Sequence, residues 1–242
     1  MVDSVPMNDQ FENLMLRALP PSTVECLHLS PVKFELGHQI EFPGEELKYL
    51  YFVEQGMASM TTTFLDGSQV EVSMFGHESV IGISALMGSR QSLNQVYTQI
   101  AGSGYRCRLA DAKQEFNRGG IFQRLALRSV QAQLLLCMQS AACNAKHDVE
   151  QRLARWLLLC ADRANSTAFD LSQEFLADML GSTRTTVTMS AGLLKSAGLI
   201  DYTRGRINIL DRTRLEAKSC ECYRAIREYL EDYISFDSEI GT

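Results

Sequence analysis

The stretch that decides the fold runs from Leu171 to Leu194 and reads LSQEFLADMLGSTRTTVTMSAGLL. It predicts two short helices joined by a tight turn. Ser172 is a suitable N-cap of the first helix, because its hydroxyl can accept a free amide of the first turn. Gly181 ends that helix, since the turn needs a positive φ that glycine adopts at little cost. Ser182 or Thr183 then caps the second helix.

Each of the two predicted helices has an apolar face at helical spacing. The other face of the second helix carries one arginine and several small hydroxyl residues, which suit contact with base edges. This pattern is typical of a DNA-binding helix-turn-helix, in which the second helix enters the major groove. An ordinary helical hairpin is the alternative. The predicted buried positions are Leu176, Met179, Leu180, Val187, Ala191 and Leu194.

The next segment favours DNA binding over a plain hairpin. Residues 197–210 read AGLIDYTRGRINIL and predict two short strands around a turn at residues 204–206. Two such strands with arginines at their tip, directly after a recognition helix, indicate a winged helix. The residues predicted to contact DNA are Ser172, Gln173, Thr183, Arg184, Thr185, Thr188, Met189, Lys195, Arg204 and Arg206.

The charge distribution agrees with this interpretation locally. The whole chain has a formal net charge of −6. Residues 182–214 instead contain six positive and two negative side chains, for a net charge of +4. A basic patch on an acidic protein is the electrostatic footprint expected for phosphate binding. The charged residues are Arg184, Lys195, Arg204, Arg206, Arg212 and Arg214, against Asp201 and Asp211.

Length and composition indicate a globular cytoplasmic protein. A chain of 242 residues with 45% hydrophobic residues has room for one large or two moderate domains. No apolar run approaches the ~20 residues that span a bilayer, and the first residues do not resemble a signal peptide. The seven cysteines are odd in number, which argues for reduced thiols rather than a disulfide framework. We therefore expect no membrane association.

The N-terminal half changes from helix to strand. Residues 1–30 predict two short helices, and residues 33–110 carry turn signals at the spacing of a sandwich or barrel. One antiparallel β-roll of about eight strands accounts for this stretch. The turn signals lie at Leu36–Gly37, Pro43–Gly44, Gln55–Gly56, Asp66–Gly67, Phe75–Gly76 and Gly102–Gly104.

A long helix follows the β-roll and carries a heptad seam. Apolar residues recur in alternating steps of three and four, which is typical of helices that pair. A second stripe lies beside the seam at Leu135, Met138, Ala142 and Ala145. A single helix packed only on its own β-roll is the alternative; we predict one stripe on the roll and the seam on a second copy. The predicted dimer interface is Leu127, Val130, Leu134, Cys137, Ala141 and Asn144.

The chain is thus predicted to be an α+β protein of three parts. Residues 1–117 form the β-roll with its N-terminal helices, and residues 118–146 form the dimerisation helix. Residues 147–242 form the winged helix-turn-helix. Asp148 begins a new helix there, because Gln151 completes a capping box. A further helix is expected over residues 215–236, after the wing.

This order of elements resembles the Crp/Fnr family of bacterial transcription regulators. The resemblance covers the chain from about Leu29 to Leu215 and is strongest over LSQEFLADMLGSTRTTVTMSAGLLKSAGLI, residues 171–200. DVEQRLARWLL, residues 148–158, also resembles the helix that joins the family's dimer helix to its DNA domain. The resemblance implies a homodimer on a near-palindromic operator in double-stranded DNA, and a small-molecule effector sensed by the β-roll. RNA polymerase is a candidate further partner.

Two departures from the family pattern bear on the effector and the operator. Members that bind cyclic nucleotides carry Gly-Glu-Leu, where the glutamate holds the ribose, and an arginine that meets the cyclic phosphate. Here the first motif reads Gly82-Ile83-Ser84, and residues 94–96 contain no arginine. Burying a phosphate without its arginine is costly, so we expect an effector other than cyclic AMP. Thr185 and Met189 replace a glutamate and an arginine of the recognition helix, so the operator should differ.

The remaining cofactors of this family are not expected. An iron–sulfur cluster needs a group of cysteines near the N-terminus, where the chain has only Cys26. His77 could serve as a haem ligand, but a histidine in a turn is usually solvated. Cys220 and Cys222 look like a metal or redox pair. Residues two apart on a helix point to different faces, so no metal site is predicted, and thiol redox sensing is a minor alternative.

No enzyme is predicted, because the chain has no phosphate loop, no metal-spaced histidine pair and no nucleophile elbow. Two other functions remain alternatives to an effector-controlled regulator. One is a DNA-binding protein that needs no effector, and the other is a dimeric ligand-sensing or scaffold protein that does not bind DNA.

Overall fold

The computed structural model describes the backbone of residues 8–203 and 205–235, and side chains as far as residue 230. The helices are α1 (Leu14–Arg17), α2 (Pro21–Cys26), α3 (Leu109–Asn117), α4 (Ile121–Lys146), α5 (Val149–Ala164), α6 (Gln173–Leu180), α7 (Arg184–Ser196), α8 (Arg212–Lys218) and α9 (Cys222–Ser235). The strands are β1 (Ser30–Phe34), β2 (Gln39–Glu41), β3 (Tyr49–Thr63), β4 (Gln69–Phe75), β5 (Val80–Ile81), β6 (Gln95–Arg108), β7 (Ala168–Asp170), β8 (Ile200–Thr203) and β9 (Arg206–Ile209). The predicted α+β class and the order of its parts are confirmed.

The N-terminal strands form one sheet in the order β1-β6-β3-β4, with β2 paired to β6 and β5 paired to β3. The registers for β1, β2 and β5 are antiparallel. Asp66 and Gly67 form the expected hairpin between β3 and β4, where the amide of Phe64 donates to the carbonyl of Ser68 at 2.9 Å. The sheet therefore has the predicted antiparallel connectivity.

The predicted number of strands was wrong. Among the described residues this half contains six strands, two of them long, instead of about eight. The signals at Gly56 and at Gly102 to Gly104 lie inside β3 and β6, where the two strands approach closely. A Cβ atom on Gly56 would lie 2.5 Å from the carbonyl oxygen of Ile100. These glycines permit a close backbone approach instead of ending a strand.

Two compact units make up the chain. Among the described residues, the first comprises residues 8–59, 74–135 and 228–235, and the second comprises residues 60–73, 136–203 and 205–227. The tip of the β3–β4 hairpin thus belongs with the C-terminal helices, a grouping that the predicted boundaries at residues 117 and 146 did not include. The apolar core of the first unit includes Phe11, Leu16, Leu50, Phe52, Val80 and Phe122.

The second unit is built around α5. Trp156 on this helix is almost fully buried, and its indole Nε1 donates to the carboxylate of Glu71 at 2.8 Å. Glu71 and Ser73 lie on the polar side of β4, and both are buried. A three-stranded sheet in the order β7-β9-β8 closes the unit. The short strand β7 was not predicted from the sequence.

The capping box at the start of α5 is confirmed, because the Asp148 carboxylate accepts from the amide of Gln151 at 2.9 Å. The helix predicted over residues 215–236 is instead two helices, α8 and α9, separated at residues 219–221. Within the part of the chain that the structure describes, no helix is both long and apolar enough to cross a membrane.

Candidate nucleic-acid interface

The two helices of the predicted helix-turn-helix, α6 and α7, are capped as the sequence indicates. The Ser172 hydroxyl accepts from the amide of Phe175 at 3.1 Å, and the Thr183 hydroxyl accepts from the amide of Thr186 at 3.2 Å. Gly181 ends α6 with a φ of +54°, in the left-handed region. The two hydroxyls thus satisfy free backbone amides at the starts of α6 and α7, and the left-handed conformation of Gly181 ends α6.

The face of α7 that points away from the core is formed by predicted DNA contacts. Arg184, Thr185, Thr188 and Met189 are exposed, and Met189 keeps 67% of its surface accessible. The Thr188 hydroxyl lies 2.8 Å from the carbonyl oxygen of Arg184 and 2.9 Å from Oε1 of Gln173. The second contact ties the start of α6 to α7, so Gln173 and Thr188 sit side by side.

A cleft lies between the helix starts and the wing. It has a volume of about 350 Å³ and is lined by Ser172, Gln173, Arg184, Tyr202 and Gly205. Four of these residues were predicted to contact DNA or to form the wing turn. The cleft is therefore the point at which the predicted recognition residues and the wing come together.

Tyr202 is a lining residue that the sequence analysis missed. Its hydroxyl donates to the carbonyl oxygen of Leu171 at 3.0 Å, and burial raises the pKa of Tyr202, against the opposing charge of Arg184. The phenol thus stays protonated and connects the wing to the start of the helix-turn-helix. Tyr202 lies two residues after buried Ile200 on β8 and therefore shares its face, between exposed Asp201 and Thr203, and this period is the signal that could have found it.

The free positive charge of the predicted basic patch is smaller than its sequence suggests. Lys195 Nζ lies 2.8 Å from Oδ1 of Asp201, and its hydrogen bond lowers the pKa of that carboxyl. Arg212 is held by Asp162 at 2.5 Å and by Glu216 at 3.0 Å. Ion pairs inside the unit therefore neutralise part of the charge that was assigned to phosphate binding.

The exposed arginines nearest the cleft are the remaining candidates for DNA contact. Arg184 begins α7, and Arg206 is exposed at the start of β9, where it pairs with Thr203 across the wing. Arg204 lies outside the described residues. A DNA-binding role for each predicted residue, including Lys195, stays a prediction.

The long helix α4 leaves an apolar face uncovered in the single chain. Leu127 is 46% exposed, and Leu134 and Met138 are each 58% exposed. Ala141 is also exposed, whereas Val130 packs against the core of the first unit. The members of the predicted seam are therefore not equally placed, and their role in a dimer stays a prediction.

The stripe that α4 buries on its own chain differs from both predicted stripes. It comprises Phe122, Leu125, Ala126, Ser129, Ala132, Leu136 and Cys143. The stripe of Leu135, Met138, Ala142 and Ala145 was expected on the β-roll, and this was wrong, since three of these residues are exposed. Three neighbouring faces of α4 carry apolar residues, so the sequence alone did not show which face is buried on its own chain.

The position at which the family resemblance puts the ribose-binding glutamate carries an apolar side chain here. Ile83 is 6% exposed and belongs to the core of the first unit. Glu41 is a buried carboxyl of this half, and the Ser92 hydroxyl donates to it at 2.6 Å. Burial raises the pKa of Glu41, and the hydrogen bond from Ser92 opposes this shift.

Comparison with known proteins agrees with the geometry of the second unit. The family model that describes a Crp-like helix-turn-helix domain matches residues 151–218. The global nitrogen regulator of Synechococcus elongatus is 27% identical over 201 residues, which cover 78% of this chain and 89% of that protein. A CRP-like cAMP-activated global transcriptional regulator of Mycobacterium tuberculosis is 25% identical over 221 residues, covering 85% and 96%.

Solved structures show the same fold. FixK2 from Bradyrhizobium japonicum superposes with a TM-score of 0.68 at 17% identity, covering 79% of this chain and 98% of that one. A regulator of the Crp/Fnr family from Eubacterium rectale also reaches 0.68, at 18% identity and with 85% and 95% coverage. The relatives are transcription regulators and not enzymes. Residues 151–218 thus match a Crp-like helix-turn-helix domain, and most of the chain is similar to transcription regulators of the Crp/Fnr type.

Proposed function

We propose that the protein binds a near-palindromic operator as a homodimer, with α7 in the major groove and the wing beside it. The observation that carries this proposal is the exposed face of α7. There Arg184, Thr185, Thr188 and Met189 stand next to a cleft bounded by the wing. A rigid helix face with one guanidinium and small hydroxyls matches the donors and acceptors of base edges. The cytoplasmic location predicted from the sequence is the one that DNA binding requires.

The dimer in this proposal forms through the exposed apolar face of α4. Leu127, Leu134 and Met138 are large apolar residues whose exposure in one chain is costly in water. A contiguous exposed apolar patch usually marks an interaction surface. A second copy of the same helix would cover it around a two-fold axis, which also presents two recognition helices to one face of a duplex.

The effector in this proposal is not cyclic AMP, although the Mycobacterium tuberculosis relative is described as cAMP-activated. Buried Ile83 occupies the position where nucleotide-binding members carry a glutamate, and it has no group that can accept the ribose hydroxyls. The ligand that the β-roll takes, and any contact with RNA polymerase, follow from family resemblance alone.

Selection of bound sequences from a random duplex library, with and without cell extract, tests this proposal. We expect two inverted half-sites about one helical turn apart, ~34–36 Å. Enrichment only with extract would indicate that an effector is required. Enrichment without it would support the effector-independent alternative. If no sequence is enriched and binding does not fall with salt, the protein is a sensing or scaffold dimer and the proposal is wrong.

A further inference from the structure

Three cysteines and one histidine converge within the second unit, outside the candidate DNA interface. The side-chain donor atoms of Cys143, His147, Cys220 and Cys222 all lie within 4.8 Å of one another. The three thiols are buried, with 0%, 3% and 2% of their surface exposed, and together they form a separate cluster. The His147 side chain is 11% exposed, at the edge of this cluster.

Local structure explains why these residues meet. Cys143 lies in the last turn of α4, and His147 follows four residues later, so the two side chains share one side of the helix. The amide of His147 continues the helical pattern by donating to the carbonyl oxygen of Cys143 at 3.0 Å. Cys220 precedes α9 and Cys222 begins it. The two residues are therefore not on one helix, and their thiols need not point to different faces.

From this geometry we infer that the four residues form a binding site for a single zinc-type metal ion. Cys143 Sγ lies 3.5 Å from Cys220 Sγ, and Cys222 Sγ lies 3.6 Å from Nδ1 of His147. Tetrahedral zinc, with its bond lengths of about 2.3 Å to sulfur and 2.0–2.1 Å to nitrogen, separates two sulfurs by about 3.8 Å and a sulfur from a nitrogen by about 3.6 Å. The sulfur–nitrogen distance equals this tetrahedral edge and the sulfur–sulfur distance is about 0.3 Å shorter, while all remaining donor pairs lie within 4.8 Å, so small side-chain movements close the site around one ion.

The groups around the site support a metal more than a set of idle thiols. His147 Nε2 lies 3.2 Å from the carboxylate of Glu221, so Nδ1 is left to face the thiols. A carboxylate behind a ligating imidazole is the usual support of a metal-bound histidine. The Gln139 amide donates to Cys222 Sγ at 3.0 Å, a bond that favours sulfur as an acceptor. These contacts orient both ligands toward one point.

The charge and the chemical type of the four ligands, and the short distances between them, favour a single zinc ion. Three thiolates and Zn²⁺ carry a net charge of −1, and Arg155, a buried cation of the same unit, lies close enough to Cys143 and Cys220 to interact with them. Soft sulfur ligands with an imidazole suit zinc rather than magnesium or calcium. An iron–sulfur cluster would need its ligands further apart than a single ion does. On binding, the thiol protons pass to solvent and no electron is transferred.

The site would fasten the end of α4 to the connection between α8 and α9, both within the second unit. A closed set of four protein ligands is the form of structural zinc sites. Metal binding to the folded state alone stabilises that state, so removal of the ion should lower the melting temperature. This inference does not depend on the proposed operator or effector.

The test begins with the full-length wild-type protein, purified and kept under reducing conditions. Zinc measured by mass spectrometry should approach one ion per chain. After removal of zinc, titration with Co²⁺ should produce the intense sulfur-to-cobalt and ligand-field absorption of a tetrahedral thiolate site. If the wild-type chain is folded by circular dichroism and yet holds no zinc and gives no such spectrum, the inference is wrong. A Cys143–Cys220 disulfide without metal uptake by the reduced protein would also overturn it.

Variants then assign the ligands. Cys143→Ser and Cys222→Ser should each abolish the cobalt spectrum, and Cys26→Ser, a half-buried thiol outside the cluster, should leave it unchanged. Glu221→Gln should keep the spectrum but weaken zinc affinity roughly 10–100-fold in competition with a chromophoric chelator. Retention of full binding by either cysteine variant would contradict the assignment, and so would its loss in Cys26→Ser.

Discussion

Arg184 is the residue on which base recognition depends in the proposed complex. It is exposed at the first position of α7 and lines the cleft beside the wing. A guanine offers O6 and N7 to the fork of an arginine, and such a pair discriminates by roughly 1–3 kcal/mol. Arg184→Ala should therefore lose preference at one guanine per half-site, measured by competition between the selected operator and its single-base variants.

Arg206 provides the matched comparison, because it is also exposed but lies on the wing. Loss of a phosphate contact weakens all sequences alike and reduces the salt slope by about 0.9 for each contact. Arg206→Ala should therefore lower affinity and salt dependence while base preference stays intact. If Arg184→Ala weakens every sequence equally, recognition rests on Thr185, Thr188 and Met189 or on DNA shape.

Glu41 gives a prediction for stability against pH. Burial raises the pKa of its carboxyl, so the folded protein holds this proton more tightly than the unfolded chain does. Its contribution to stability therefore falls as pH rises above the usual glutamate range, because the ionised form must be buried. Glu41→Gln keeps an oxygen that can accept from the Ser92 hydroxyl and removes the charge.

Glu41→Gln should accordingly raise the midpoint of chemical unfolding near pH 7 and have little effect near pH 4, close to the ordinary pKa of glutamate. Glu46→Gln, at an exposed position of the same region, should change neither midpoint. Equal stabilisation by Glu41→Gln at both pH values would show that charge burial is not its cause.

At the scale of elements, α4 carries the dimer prediction. Leu134 is 58% exposed in the single chain and lies on the face assigned to a second copy. Leu134→Glu would place a carboxylate against its symmetry mate without a partner, which costs several kcal/mol. The dimer should therefore weaken by more than roughly 100-fold, as measured by sedimentation over a range of concentrations.

Leu134→Met is the control, because it conserves volume and apolar character. It should sediment as the wild-type protein does. A Leu134→Glu variant that stays dimeric with unchanged affinity would exclude this face of α4 as the interface.

The break between α8 and α9 determines where Cys220 and Cys222 lie. One helix over residues 215–236 fits the apolar spacing, but Cys220 and Cys222 then diverge. Ser219 caps the end of α8 in an extended conformation, and the chain turns before Cys222. This break at residues 219–221 brings both thiols to Cys143, where they form part of the proposed metal site.

For the whole molecule, the prediction concerns cyclic nucleotides. By the family resemblance, buried Ile83 stands where nucleotide-binding members carry the ribose-binding glutamate, and residues 94–96 contain no arginine. Cyclic AMP and cyclic GMP at millimolar concentration should give no saturable heat in titration calorimetry. They should also leave the affinity for the selected operator unchanged. Micromolar binding to the β-roll by either nucleotide would contradict this prediction.

The sequence determined the features that depend on neighbours along the chain. The caps at Ser172, Thr183 and Asp148 and the turn at Gly181 form local hydrogen bonds or need a local φ, so residue type and spacing sufficed. The helical and strand periods likewise follow from which face of an element is apolar. The α+β class and the winged helix-turn-helix were therefore accessible without coordinates.

Only the tertiary structure decided the features that depend on distant partners. Gly56 is an interior strand residue because β6 lies against it, and Lys195 is neutralised because the wing brings Asp201 to it. The convergence of Cys143 with Cys220 joins residues 77 positions apart. Periodicity reports that a face is buried but not what covers it, since packing partners are chosen by the fold as a whole.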